Sequence, residues 1–268
     1  MATTATLGSG AATQSASIRK ISLHDLMDAL TKGIDDFKEK PSLAPFAAGV
    51  YLLASFLALM VVANYDYLPL VFPVVSGAVL IGPFVTIALC EVSRRRERGI
   101  EYGLMSGYNF FNSPSIKDIL LLGLMMVALF LFWLGTAMTI YGLTMGDEWR
   151  SVPSAPDSMT EFFKQLLFTS RGWTMIILGN LIGLFFAVVS LCVGTISFPM
   201  LLDREVGIGT AVHTSVNAVK ENPVTMGMWG LIVVVLLIAG AIPFFAGLAV
   251  VVPVLGHATW HLYRKLVV

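Results

Sequence analysis

Charged residues are scarce in this chain of 268 amino acids. Asp, Glu, Lys and Arg together make up 13% of it, whereas about 25% is usual in soluble domains. A soluble protein of this length must cover its surface with polar groups, and this chain has too few of them. The composition therefore excludes a soluble enzyme, a nucleic-acid-binding protein that relies on basic charge, and a disordered protein.

Cysteines and catalytic motifs are also scarce. The only two cysteines, Cys90 and Cys192, lie in apolar runs and form no C-x-x-C pair, so the sequence indicates neither a zinc site nor a redox pair. The chain contains no phosphate-binding loop, no nucleophile elbow and no dinucleotide-binding fingerprint. We therefore expect no enzyme active site.

Apolar residues, in contrast, are abundant: they make up 56% of the chain. A membrane-spanning helix needs about 20 mostly apolar residues. The last apolar run, 224–255, has 32 uncharged residues, too many for one span, and Gly240 and Pro243 in its middle can turn the chain. The sequence predicts an all-α membrane protein with six spans, or five if this run is not divided; the six are 43–63, 68–90, 119–141, 173–201, 224–240 and 243–263.

The positions of Lys and Arg predict how these spans are oriented. With the N-terminus inside, only Arg150, Lys164 and Arg171 of the 17 basic residues lie outside, which leaves 14 inside. Basic residues concentrate in cytoplasmic loops. We therefore expect both termini in the cytoplasm, with the lipid bilayer as the main partner, other membrane subunits as further partners, and no nucleic acid.

Each cytoplasmic segment has apolar residues at helical spacing and ends at a proline: Pro41, Pro114 or Pro223. Such a segment favours an amphipathic helix that lies in the membrane interface. We predict a disordered tail over 1–20 and three hairpin repeats, at about 22–98, 99–206 and 207–265, each with this helix before two spans. In the first helix, the apolar face comprises Leu23, Leu26, Met27, Leu30, Ile34 and Phe37.

Two short polar motifs predict helix starts. Ser22 with Asp25, and Ser158 with Glu161, have the spacing of capping boxes. The second motif opens an apolar stretch in the loop between the third and fourth spans. We expect a short interfacial helix there, on the outer surface.

Ionisable residues inside or at the ends of spans are costly and are candidates for function. His257 and His261 lie one turn apart in the last span, where they are either structural and interfacial residues or ligands of a metal or haem. Glu91 and Asp203 end their spans beside Arg94 and Arg204. These charges either pair at the headgroups or line one cytoplasm-facing polar cavity, formed by Glu91, Arg94, Asp203, Arg204, Asn222, His257 and His261.

Four stretches are similar to a known family. They are Gly82-Pro83 followed by Glu91 and Arg94-Arg95, the string 197–206, the pattern over 215–230, and the string 253–264, which contains Gly-His-Ala-Thr-Trp-His-Leu-Tyr-Arg. Together they resemble, over about residues 20–265, proteobacterial integral membrane proteins of uncharacterised function that are often called "cytochrome c oxidase subunit I-like". The resemblance implies a location in the bacterial inner membrane, but no activity and no site residues. Four histidines on six spans cannot match the roughly twelve spans and six metal-binding histidines of that subunit, so we exclude oxidase activity.

Three hypotheses for function follow. The first is a transporter or permease-like protein with a cytoplasm-facing polar cavity. The second is an accessory or scaffold protein of a membrane complex, such as a respiratory complex. The third is a protein that binds haem or a metal through His257 and His261.

Overall fold

The computed structural model describes residues 17–39, 86–101, 106–145, 159–243 and 247–268. Within these ranges the fold is helical, with one isolated antiparallel bridge between Ile18 and Val267. The first predicted span, 43–63, and most of the second, 68–90, lie outside the described residues. The α-helices are α1 Leu23–Glu39, α2 Ile87–Glu97, α3 Ile116–Met145, α4 Met159–Phe168, α5 Ser170–Gly194, α6 Ser197–Asp203, α7 Ile208–Glu221, α8 Pro223–Ala241 and α9 Leu248–Leu266, and a 3₁₀ helix, Ser106–Asn112, precedes α3.

Among the described residues, three helical segments are long and apolar enough to cross a membrane: Ile116–Met145, Ser170–Asp203 and Pro223–Ala241. They correspond to the spans predicted at 119–141, 173–201 and 224–240. In the most apolar part of each segment, less than a third of the residues are buried inside the protein. Their remaining apolar side chains therefore face outward, as expected for helices in contact with lipid.

The long apolar run near the C-terminus is divided as predicted, because α8 ends at Ala241 and α9 begins at Leu248. Helix α9 has Pro253 in its interior, and most of its second half is buried. This helix is not among the three described segments that are long and apolar enough to cross a membrane. Six spans arranged as three repeats stay a prediction.

The core contains residues of α1, α2, α6 and α9, together with residues of α3, α7 and α8. Helix α1 approaches α9 closely through Gly33, where an added Cβ would lie 2.7 Å from Cβ of Ala258 and from the Val254 carbonyl oxygen. Gly256 on α9 packs in the same way against the side chain of Leu89 on α2. Small residues at these crossings allow the backbones to approach closely.

The buried face of α1 differs from the face predicted from the sequence. Leu26 is buried as expected, but Leu23 and Met27 are 53% and 54% exposed. Asp36, which the sequence pattern assigned to neither face, is buried against α2 and α9. The predicted cap is confirmed, since the Ser22 backbone N–H donates to Oδ2 of Asp25 (2.9 Å) and the Asp25 N–H donates to Oγ of Ser22 (3.3 Å).

The other predicted surface helices differ in form. The structure contains α7 before Pro223 and α4 after Ser158. In the segment before Pro114, however, the described residues form a 3₁₀ helix of seven residues, whose Tyr108 and Phe111 are more than half exposed. That segment therefore presents aromatic rings to its surroundings.

The end of the predicted disordered tail is ordered. The Arg19 backbone N–H donates to the Leu266 carbonyl oxygen (2.8 Å), and the Val268 N–H donates to the Ser17 carbonyl oxygen (3.0 Å). These bonds satisfy backbone groups of residues 17–19 and of residues 266–268. Residues 17–20 therefore belong with the folded part rather than with a tail. Residues 1–16 lie outside the described residues.

Candidate functional site

The charged side chains of α2 contact three different groups of residues. Six of the eight residues of 91–98 are charged. Because successive residues on an α-helix point about 100° apart, these side chains leave α2 in different directions. They enter three groups: a histidine cluster against α1 and α9, a pocket beside the 3₁₀ helix, and an aspartate cluster near α6 and the end of α9.

The histidine cluster is centred on the carboxylate of Asp36, whose side chain is 4% exposed. Oγ of Ser93 donates to Oδ2 of Asp36 at 2.5 Å. Nε2 of His261 lies 2.9 Å from the same oxygen, and Arg96 forms an ion pair with the other oxygen, Oδ1. The buried charge is thus neutralised and hydrogen-bonded on both oxygens, as burial of a carboxylate requires.

His257 completes this cluster through Ser93. Nδ1 of His257 lies 2.8 Å from Oγ of Ser93, and the imidazole is 2% exposed. The Ser93 hydroxyl has one proton, which it donates to Asp36. Nδ1 of His257 must therefore carry the proton of the other bond, which fixes the tautomer of this ring.

Asp36 is ionised because of its partners. Burial alone would raise the pKa of this carboxyl, but the hydrogen bonds from His261 and Ser93 and the nearby Arg96 lower it to about 2. Hydrogen bonds to the charged form of a carboxylate favour that form. The cluster therefore holds a fixed negative charge at neutral pH.

The pocket is a cavity of about 200 Å³ next to Glu91, which is completely buried. Nε of Arg94 donates to Oε2 of Glu91, and Nε of Arg95 donates to Oε1, each at 2.7 Å. The two guanidinium groups are about one-fifth exposed, at 19% and 23%. The lining residues are Glu91, Arg94, Arg95, Asn109, Asn112, Ser113, Pro114 and Leu202.

The aspartate cluster surrounds Asp203, whose side chain is 8% exposed. Nη2 of Arg98 lies 2.7 Å from Oδ1 of Asp203, and the Tyr263 hydroxyl donates to Oδ2 at 2.8 Å. Arg264 and Arg204 are more distant, at 3.6 Å and 4.0 Å from Oδ2. This arrangement ties the end of α6 to α2 and to α9.

Asn222 has a different role, at the junction of α7 and α8. Its Oδ1 accepts a hydrogen bond from the Ile21 backbone N–H at 2.9 Å, and its Nδ2 donates to the Arg19 carbonyl oxygen at 3.3 Å. The side chain therefore holds the segment that leads into α1. None of these contacts involves a lining residue of the pocket.

The structure thus assigns the seven predicted site residues to different surroundings. Glu91 and Arg94 line the pocket, His257 and His261 belong to the histidine cluster, and Asp203 with Arg204 lies in the aspartate cluster. Asn222 is bonded to the N-terminal segment. All three groups include a residue of the stretch 91–98.

Sequence reasoning missed Asp36, Ser93 and Arg96. A signal for Asp36 was present, because the buried residues of α1 are Leu26, Ala29, Gly33 and Asp36, a spacing of three and four that defines one helical face. The small residues along this stripe indicate close packing against another helix. An acid at the end of such a stripe must find a buried partner.

Both predicted metal-ligand histidines are engaged with protein groups. Nε2 of His261 contacts Asp36, and Nδ1 of His257 contacts Ser93. In the part of the chain that the structure describes, no group of three or more His, Cys, Asp or Glu side chains is arranged to hold a metal ion. A metal or haem at these rings would have to bind the other ring nitrogen or displace these contacts.

Comparison with known proteins agrees with the apolar helices. Residues 71–203 match the model of a family described as "Predicted integral membrane protein (DUF2189)", over just under half of the chain. The chain is an integral membrane protein. The match includes α2, the 3₁₀ helix and α3 to α6, and hence the whole lining of the pocket, whereas α1 and α9 lie outside it. No curated protein and no solved structure gives a significant match.

Proposed function

We propose that this protein is a permease-like transporter without a catalytic site, with six spans in the bacterial inner membrane and both termini in the cytoplasm. The proposal is carried by one observation: a fully buried carboxylate, Glu91, lies between two arginines that line a cavity beside the 3₁₀ helix. Ionisable groups buried in membrane proteins often mark the pathway of a substrate. The pocket also lies directly before α3, one of the three apolar segments.

A shrinkage assay with solutes of different charge and size tests this proposal. Proteoliposomes that contain the full chain are mixed with hyperosmotic potassium phosphate, sodium gluconate, choline chloride, glycerol or glucose, and light scattering follows their volume. A transported solute lets the vesicles swell again faster than protein-free vesicles do. We expect faster swelling with at least one solute, and slower swelling for the Arg94→Gln variant.

The exposed Asp35→Asn variant is the control, because this residue lies on the outer face of α1. Vesicles that contain this variant should swell at the same rate as vesicles that contain the unchanged protein. Variants are compared only if they elute as monodisperse species in detergent. If vesicles with the unchanged protein swell no faster than protein-free vesicles for any of the solutes, the transporter proposal is wrong.

A second candidate function is that of an accessory or scaffold protein. It is favoured by large apolar side chains that are exposed on α1 and on the 3₁₀ helix: Leu23, Met27, Tyr108 and Phe111 are between 51% and 55% exposed. Such a surface fits either the membrane interface or a partner subunit. Purification in a mild detergent should then yield a larger complex, which the Met27→Glu variant should weaken; a monodisperse single chain in both cases would contradict this candidate.

A further inference from the structure

The pocket has an excess of positive charge. Arg94 and Arg95 contribute two positive charges and Glu91 one negative charge, so the charged lining residues sum to +1. Both oxygens of Glu91 already accept hydrogen bonds from the two arginines. The carboxylate is thus occupied, and it orients the guanidinium groups rather than offering itself to a cationic ligand.

The groups that remain in the pocket are mostly hydrogen-bond donors. A guanidinium group has five N–H donors. Glu91 uses those on Nε and Nη2 of Arg94 and on Nε of Arg95, and the Glu101 carbonyl oxygen accepts from Nη1 of Arg95 at 3.4 Å. Asn112 also lines the pocket, where its exposed side chain forms no hydrogen bond to another described residue. Donors from α2 and from the 3₁₀ helix therefore meet in one cavity.

The position of α3 adds to the same electrostatic preference. This helix of 30 residues begins at Ile116, directly after the lining residues Ser113 and Pro114. The N-terminal end of an α-helix carries a partial positive charge and favours anions. The helix end and the two arginines thus favour the same sign of ligand.

The size of the cavity limits the ligand. Its volume is about 200 Å³, below the roughly 300 Å³ at which pockets for drug-sized molecules begin. Arginine binds phosphate oxygens through paired donors in a planar fork. We propose that this pocket binds a small phosphate group, either as a free anion or as the headgroup of a lipid; the inference rests on the proposed function in that it names the substrate class of the same site.

The sharpest test places a negative charge in the pocket without removing a known contact. Thermal unfolding of the full chain, purified in a detergent free of phospholipid, is followed by tryptophan fluorescence at increasing inorganic phosphate and constant ionic strength. We expect a saturable rise of the unfolding temperature. The Asn112→Asp variant should weaken the apparent affinity about tenfold or more, which corresponds to about 1.4 kcal/mol.

Asn217→Asp is the matched control, because Asn217 lies on α7 and its amide contacts only the neighbouring His213 among the described residues. It makes the same change of charge outside the pocket and should leave the phosphate response unchanged. A second control replaces phosphate by acetate. Equal stabilisation by acetate, or an equal response of the Asn112→Asp and Asn217→Asp variants, would overturn the assignment.

A lipid arm distinguishes the two sources of phosphate. A short-chain phosphatidylglycerol is added to the same detergent solution in place of inorganic phosphate. Stabilisation by the lipid alone, if lost in Asn112→Asp, supports a headgroup site, and stabilisation by inorganic phosphate supports a free anion. Stabilisation by neither overturns the proposal.

The outcome is separable from that of the transport assay. Phosphate binding without solute-driven swelling would leave the binding site standing and remove the transport function. Faster swelling with glycerol, glucose or choline chloride, without phosphate binding, would support the transport function and contradict the phosphate site.

Discussion

Asp36 and Ser93 are separated by 57 positions in the sequence, and the Ser93 hydroxyl donates to Oδ2 of Asp36 at 2.5 Å in the protein interior. This bond joins α1, a helix outside the three apolar segments, to α2. His261 on α9 donates to the same oxygen. One carboxylate therefore connects three helices that are distant in sequence.

The lowered pKa of Asp36 predicts how stability depends on pH. A carboxyl whose folded-state pKa is depressed, here to about 2, stabilises the fold above its ordinary value near 4 and loses that contribution as the pH falls through the folded value. From the difference in pKa, the contribution is roughly 2 kcal/mol. We expect the unfolding temperature of the unchanged protein to fall between about pH 4 and pH 2.

The Asp36→Asn variant checks this assignment. It should be less stable than the unchanged protein at pH 7 and should show a smaller loss of stability below pH 4. The exposed Asp35→Asn variant should keep the acid profile of the unchanged protein. An Asp36→Asn profile that runs parallel to that of the unchanged protein would show that another group causes the acid loss.

The contact of Gly33 with α9 predicts that added volume is harmful there. A Cβ at this position would lie 2.7 Å from Ala258 and from the Val254 carbonyl oxygen, so Gly33→Ala forces α1 away from α9. Overpacking of this kind typically costs about 1–3 kcal/mol. The unfolding temperature in detergent should fall, as measured by tryptophan fluorescence.

Gly209→Ala is the control for Gly33→Ala, because nothing lies within 4 Å of a Cβ added to Gly209, which also lies in a helix. Alanine at such a position stabilises slightly by restricting the unfolded chain. The two variants should therefore shift the unfolding temperature in opposite directions. Shifts of the same sign would count against close packing of α1 on α9.

The bonds of Asn222 predict a local effect at the start of α1. In Asn222→Ala, the Ile21 backbone N–H and the Arg19 carbonyl oxygen lose their side-chain partner. An unsatisfied buried donor costs about 1–3 kcal/mol. Limited proteolysis should cut near residues 17–22 faster in Asn222→Ala than in Asn217→Ala, and equal rates would remove the anchoring role.

The bridge between Ile18 and Val267 predicts a cross-link. Residues directly opposite each other across an antiparallel bridge have Cα atoms about 4.5–5.5 Å apart, which is within the range that a disulfide spans. The Ile18→Cys/Val267→Cys pair should therefore form a disulfide in the membrane, in a chain whose native Cys90 and Cys192 are replaced by alanine. Electrophoresis after cleavage at a protease site inserted between residues 150 and 155 detects it.

The pair Ile18→Cys/Val250→Cys is the control for the cross-link. Val250 is 16 residues before Leu266 on the same helix, a rise of about 24 Å. It should remain unlinked under the same oxidation. Cross-linking of the control pair, or none in the bridged pair, would contradict the arrangement.

The apolar elements could be predicted from the sequence, whereas the polar contacts could not. The spans over 119–141, 173–201 and 224–240 follow from composition alone, because a membrane helix satisfies its own backbone and needs only apolar side chains. The capping pair Ser22 and Asp25 is equally local. Each of these signals is contained in one stretch of sequence.

The candidate site depends instead on how helices rotate and cross. The predicted face of α1 included Leu23 and Met27, but the crossing through Gly33 turns Asp36 inward and leaves both apolar residues exposed. The partners of Asp36 come from α2 and α9, and periodicity within α1 does not identify them. For the same reason, the sequence could not show that Glu91 and His257 meet different neighbours.

Helix α2 is a shared part of all three groups of polar contacts. Ser93 and Arg96 bind the histidine cluster, Glu91 lies at the pocket, and Arg98 holds Asp203. A rotation of α2 about its axis would shift all three groups of contacts in the same movement. Binding in the pocket and protonation of Asp36 would then influence each other by equal amounts, as reciprocal coupling requires.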